Sequence, residues 1–120
     1  MCLIVKMDLD DKRSFLLRIC DAIGEAESAL EGGDFAVAHG ALRAAFNGFG
    51  TFYYHAKPIP ARKTKLNKIS NEIFEIRGEL VDKIEYHHIK FDKVVDENCI
   101  YQRVEANRKL LEKYIKAWYN

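Results

Sequence analysis

Residues 29–46 read Ala-Leu-Glu-Gly-Gly-Asp-Phe-Ala-Val-Ala-His-Gly-Ala-Leu-Arg-Ala-Ala-Phe, and this stretch contains the end of one predicted helix and the start of the next. Gly32 and Gly33 end the first helix, because glycine adopts the left-handed backbone that terminates helices without a steric penalty. Asp34 is predicted to cap the second helix, since its carboxylate can accept hydrogen bonds from the unpaired N–H groups of the first turn. The stretch therefore predicts two helices joined by a very short turn.

Apolar residues also recur every three or four positions before and after that turn, as they do in amphipathic helices packed on a core. The predicted helices cover residues 9–31, 35–55, 65 to between 85 and 90, and 97 to near the C-terminus. The two prolines, Pro58 and Pro60, fall in a predicted loop over residues 56–64, with Thr64 as the N-cap of the third helix. Four such helices with short connections predict an all-α, antiparallel four-helix up-and-down bundle.

Length and composition indicate one helical domain over residues 1–120, with residues 1–8 predicted to be extended or disordered. The chain is 48% apolar and 31% charged, which is typical of globular proteins. No apolar stretch reaches the roughly 18 residues needed to span a membrane, so no membrane association is predicted. Three widely spaced cysteines without a Cys-x-x-Cys pair predict reduced thiols and a cytoplasmic protein.

The second predicted helix is rich in glycine, with Gly40, Gly48 and Gly50 in its interior. An interior glycine destabilises a helix by about 1 kcal/mol relative to alanine. Its presence therefore indicates close approach of a neighbouring helix or of a ligand, and tight helix packing is the simpler interpretation.

Positive charge is concentrated in the middle of the chain, although the net charge is only +1. Residues 35–71 contain no Asp or Glu and six Lys or Arg. Five of these bases lie beside the aromatic stretch 52–55 and are predicted to bind anions or nucleic acid: Lys57, Arg62, Lys63, Lys65 and Lys68. Phosphate contacts beside aromatic rings suit RNA binding, whereas a solvated basic turn next to core aromatics is the alternative interpretation.

No metal site and no cofactor are predicted. His87 and His88 are adjacent, so on a helix their side chains diverge by about 100° and cannot easily share one metal ion. Glu85 and His88 have the Glu-x-x-His spacing of di-iron bundles, but such a site needs a second copy of that motif, and the sequence contains none.

Two stretches resemble HEPN domains, the small all-helical proteins of prokaryotic toxin–antitoxin and defence systems. In residues 29–46 a helix ends at glycine and a second helix rich in alanine and aromatic residues begins. Residues 101–115, Tyr-Gln-Arg-Val-Glu-Ala-Asn-Arg-Lys-Leu-Leu-Glu-Lys-Tyr-Ile, are similar to the family's closing helix. The likeness covers about residues 12–118. It implies a homodimeric bundle that binds a partner protein or RNA without catalysis.

Active HEPN ribonucleases carry an Arg-x4–6-His motif at the end of the third helix. The residues of this chain in that region are Arg77, His87 and His88, at the longer spacings Arg-x9-His and Arg-x10-His. An alternative function is therefore metal-independent RNA cleavage, with either histidine as general base and Arg77 as phosphate stabiliser. Apolar helical neighbours around Arg77 also fit an arginine at the edge of the core. A third alternative is a purely structural protein-interaction module.

Overall fold

A computed structural model of the chain describes residues 7–86 and 97–120. It contains four helices: α1 (Leu9–Glu31), α2 (Phe35–Ala56), α3 (Pro60–Tyr86) and α4 (Glu97–Tyr119). Within the described residues all regular secondary structure is helical, which confirms the all-α prediction. Helices α1 and α3 each pack against both α2 and α4, so the four helices form a compact bundle. No helix in this part of the chain is long and apolar enough to cross a membrane.

The predicted signals at the end of α1 and the start of α2 operate as expected, and Asp8 caps the start of α1. The Asp11 N–H donates a 2.8 Å hydrogen bond to Asp8 Oδ1, and the Asp8 N–H donates in return to Asp11 Oδ2 at 3.4 Å, which forms a capping box. At α2, the Val37 N–H donates to Asp34 Oδ1 at 3.1 Å. Gly33 takes the left-handed conformation, with φ of 73°, in the turn between the two helices.

The prediction of a loop over residues 56–64 was wrong, because α3 begins at Pro60. Proline is well tolerated in the first turn of a helix, where its missing N–H has no intrahelical partner to lose. Thr64 is not an N-cap: its hydroxyl donates to the Pro60 carbonyl at 2.9 Å, within the first turns of α3. The connection from α2 is therefore only residues 57–59, and Lys57 closes α2 in a left-handed conformation.

Side-chain pairs along α1 and α4 show that these two helices run in opposite directions. Arg13, near the start of α1, donates to the Tyr119 carbonyl at the end of α4 at 3.3 Å. Tyr101, near the start of α4, donates to Glu31 at the end of α1 at 2.9 Å. The up-and-down connectivity of all four helices stays a prediction, since residues 87–96 lie outside the described chain.

The core contains the apolar residues that the helical spacing selected. Five apolar residues that recur every three or four positions along α1 are all buried: Leu16, Ile19, Ile23, Ala26 and Leu30. The two largest fully buried side chains are Phe49 and Phe52 of α2. Burial of this apolar face is what stabilises the helices, because isolated helices of this length are only marginally stable in water.

Only one of the three interior glycines of α2 is needed for close packing. A Cβ atom added to Gly48 would lie 3.0 Å from Ile19 Cγ1 of α1, whereas one at Gly40 or Gly50 would meet nothing within 4 Å. Close helix approach therefore explains Gly48 and leaves Gly40 and Gly50 without a packing role.

We expect Gly40→Ala and Gly50→Ala each to raise the free energy of unfolding by about 0.5–1 kcal/mol, because alanine loses less backbone entropy in a helix. Gly48→Ala is expected to give no gain, since Ile19 would have to move. Urea denaturation of the three variants measures the difference. Equal stabilisation by Gly48→Ala and Gly40→Ala would contradict this account of the packing.

Candidate functional site

The five basic residues predicted to bind anions lie at one end of the bundle, where α2 ends and α3 begins. Lys57 is the C-cap of α2, and Arg62, Lys63, Lys65 and Lys68 occupy the first turns of α3. The four lysines are exposed and Arg62 is half-buried. Within the described part of the chain, no carboxylate pairs with any of the five. Their charge is therefore not neutralised by an intramolecular ion pair there.

Two of these bases lie over aromatic rings at the end of α4. The guanidinium of Arg62 is 5.3 Å from the ring centroid of Trp118 and 5.4 Å from that of Tyr119. The ammonium of Lys65 is 5.7 Å from the Tyr114 ring and 5.9 Å from the Trp118 ring. We call Arg62, Lys65, Tyr114, Trp118 and Tyr119 together the α3–α4 cationic cluster.

Ring packing makes the aromatic side of this cluster rigid. The Tyr114 and Trp118 rings stack with centroids 4.5 Å apart and planes only 2° from parallel. Tyr119 is buried, with 3% of its surface exposed, while Tyr114 and Trp118 are half-buried. A cation over an aromatic face gains about 0.5–1 kcal/mol at an exposed site. The cluster therefore holds two positive charges in defined positions beside partly exposed aromatic surface.

Most of the aromatic rings that lie beside the five bases are not the ones predicted from the sequence. The predicted neighbours were residues 52–55, but Phe52 is fully buried and only Tyr53 lies under one of the five bases, with Lys63 Nζ 5.6 Å from its ring. Tyr114, Trp118 and Tyr119 were missed because they are about 50 residues away along the chain. The predicted antiparallel bundle could have indicated these rings, because it places the end of the fourth helix beside the start of the third.

Arg77 lies on α3, farther along the helix than the basic residues just described. Its guanidinium is 4.9 Å from the Phe74 ring and 5.8 Å from the Phe46 ring, and in the described residues it has no carboxylate partner. This placement agrees with an arginine at the edge of the core. His87 and His88 lie outside the described residues, so the pairing of Arg77 with either histidine stays a prediction.

The histidine whose charge Arg77 influences in the described chain is His39 of α2. Burial lowers the pKa of His39, and the positive charges of Arg77 and Arg43 lower it further, because each disfavours the imidazolium. His39 and Arg77 are 38 residues apart in sequence, so a search for a local Arg–His motif could not find them. The arrangement places a neutral imidazole near an arginine at neutral pH.

We expect the His39 resonances in an NMR pH titration to give a pKa below that of an ordinary histidine, and Arg77→Gln to raise it. Because the folded-state pKa is the lower one, the unfolded chain takes up the proton first as the pH falls. Stability is therefore expected to fall as the pH drops through the ordinary histidine pKa of about 6.5 towards the folded value. An unchanged His39 pKa in Arg77→Gln would show that the two groups do not interact.

The described residues hold no group of three or more His, Cys, Asp or Glu side chains that could bind a metal ion.

Comparison with known proteins identified no relative: no family model, no curated protein and no solved structure matches the chain.

Proposed function

We propose that this protein is a cytoplasmic, non-catalytic, HEPN-like homodimer that binds single-stranded RNA through the α3–α4 cationic cluster. The observation that carries the proposal is the position of Arg62 and Lys65. Both lie within 6 Å of the Trp118 ring centroid, and in the described chain neither is paired with a carboxylate. A phosphate could reach these cations without first displacing an acidic side chain.

Charge around the cluster favours a polyanion. Residues 35–71 carry six bases and no acid, and Lys113 and Lys116 add exposed positive charge near the end of α4. Binding of phosphates to such a surface releases condensed counterions, which is the main source of affinity for nucleic acid. The half-buried rings of Tyr114 and Trp118 add partly exposed aromatic surface beside these cations, which the bases of a single strand could contact and the paired bases inside a duplex could not.

The dimeric and non-catalytic parts of the proposal have separate support. The homodimer follows from the resemblance of residues 29–46 and 101–115 to HEPN domains. The absence of catalysis is proposed because Arg77 lies over the rings of Phe46 and Phe74, in the position of a packing residue. Light scattering over a wide concentration range tests the dimer, and a strict monomer would remove that part.

Fluorescence anisotropy of end-labelled RNA tests the binding. We expect wild-type protein to bind a single-stranded oligonucleotide more tightly than a duplex of the same length. The logarithm of the binding constant should fall linearly with the logarithm of the salt concentration, by about 0.7 for each phosphate contacted. Absence of salt-sensitive binding would contradict the proposal and favour the purely structural interaction module.

A further inference from the structure

A groove of about 630 Å³ lies between α2 and α3, apart from the α3–α4 cationic cluster. Binding sites for small molecules typically measure about 300–1,000 Å³. Phe49 and Tyr53 of α2 contribute aromatic surface to the groove. Gly50 also lines it, and a Cβ atom there would meet nothing within 4 Å, so the α2 backbone is uncovered at this point. The absence of a side chain at Gly50 leaves room in the groove for a flat ligand against the α2 backbone.

The polar lining of the groove consists of amide and hydroxyl side chains together with His55. Three amide side chains line it, those of Asn47, Asn67 and Asn71. In the described chain none of these amides has a hydrogen-bond partner, and no Asp or Glu lines the groove. An asparagine side chain has two N–H donors and a carbonyl acceptor in one plane, which matches the donor and acceptor edge of a nucleobase.

Two hydroxyl groups add acceptors to the same surface. Thr51 donates its hydroxyl hydrogen to the main-chain carbonyl of Asn47 at 3.2 Å, and Ser70 donates to the main-chain carbonyl of Asn67 at 3.1 Å. Their donors are thereby used within the helices, so each oxygen keeps only acceptor capacity for a ligand. The groove therefore suits a planar ligand that carries both donors and acceptors.

Two cations that do not themselves line the groove lie over aromatic rings that do. Lys63 Nζ is 5.6 Å from the Tyr53 ring, and the Arg77 guanidinium is 5.8 Å from the Phe46 ring. Phe46 and Tyr53 both line the groove and are seven residues apart, which is about 10 Å along a helix. Neither cation has an ion-pair partner in the described residues. Positive charge thus lies close to two of the aromatic rings that line the groove.

We propose that the α2–α3 groove holds one unpaired nucleobase of a single-stranded nucleic acid, with the phosphate of that nucleotide at Lys63. The inference rests on the proposed function for the strand that delivers the base. It adds a second contact surface, in which amides read the base and the α3–α4 cationic cluster supplies affinity that does not depend on sequence.

Filling the groove tests the proposal without removing any charge. Gly50→Leu places a side chain in the groove, and Gly40→Leu is the matched control, because Gly40 is also an exposed helical glycine of α2 with open space around it. Anisotropy is measured with RNA and DNA strands of the same sequence. We expect Gly50→Leu to weaken binding about fivefold or more, the loss of one stacked base, and Gly40→Leu to bind as wild type does.

The two strands identify the source of the base. If Gly50→Leu weakens binding of both strands, the groove recognises the base and phosphate, which RNA and DNA share. If Gly50→Leu weakens binding of RNA alone, the ligand of the groove is RNA. Equal binding by Gly50→Leu and Gly40→Leu to both strands overturns the inference.

An NMR titration with adenosine and uridine 5′-monophosphates tests the groove independently of the cluster. We expect the side-chain NH2 signals of Asn67 and Asn71 to shift. The corresponding signal of Asn107 serves as reference, since its amide already donates to the Arg103 carbonyl of α4 at 2.8 Å. Unmoved Asn67 and Asn71 signals overturn the inference. Shifts in a protein that shows no salt-sensitive RNA binding would instead contradict the proposed function and leave the groove supported.

Discussion

Replacement of Arg108 by alanine is expected to lower the free energy of unfolding by about 3 kcal/mol, because it leaves a buried carboxylate without its partner. Arg108 lies on α4, where its Nε donates to Glu27 of α1 at 2.5 Å and its Nη1 donates to Glu112 at 2.7 Å. Glu27 is only 8% exposed. The hydrogen bonds to Glu27 and Glu112 raise the pKa of Arg108, because both carboxylates favour the charged guanidinium.

Two controls separate the buried charge from other effects of the substitution. Lys109→Ala removes an exposed ion pair with Glu105 on the same helix, at 3.3 Å, and should change stability by less than about 0.5 kcal/mol. Replacement of Arg108 by methionine together with Glu27 by leucine should return stability to within about 1 kcal/mol of wild type, because no unpaired charge remains buried. A cost below about 1 kcal/mol for Arg108→Ala in urea denaturation would contradict the account.

Reversal of the two clustered charges, Arg62→Glu with Lys65→Glu, is expected to weaken binding of single-stranded RNA by at least about tenfold. Two phosphate contacts are lost, so the slope of log K against log salt should become shallower by about 1.4. The fold should survive, since Lys65 is exposed and Arg62 only half-buried.

A variant with the same change in net charge provides the control for this reversal. Arg18→Glu with Lys109→Glu removes two exposed cations from other faces, and Arg18 also lies over an aromatic ring, 5.5 Å from that of Phe15. We expect its affinity for RNA to stay within about twofold of wild type. Equal loss in both variants would show that net charge alone drives binding and that the cluster has no specific role.

Local signals in the sequence were sufficient to predict the first two helices. Asp34 caps α2, and Gly33 ends α1, through contacts within three or four residues, so their roles depend little on the rest of the chain. The start of α3 was misplaced because Pro60 was interpreted as a loop residue, although proline fits the first helical turn as well as a loop. Pro60 and Thr64 both suit the start of a helix, and only the packed structure shows that α3 begins at Pro60.

The candidate site depends on contacts between helices, which the sequence pattern does not specify. The bases at the start of α3 were predicted, but their rings at Tyr114 and Trp118 come from the other end of the chain. The only indication of the groove in the sequence was the excess of glycine in α2. The sequence could not show that Gly48 meets Ile19 while Gly50 stays uncovered, because that difference depends on which face of α2 each neighbour covers.

Trp118 allows the central claim to be tested directly, since it is the only tryptophan in the chain and lies within the cationic cluster. The measurement is its fluorescence emission during titration with single-stranded RNA at low salt. We predict a saturable change in emission that added salt reverses, as expected if bases and phosphates contact the ring and its two cations. Unchanged Trp118 emission in solutions where anisotropy shows the RNA to be bound would place the RNA elsewhere and contradict the account.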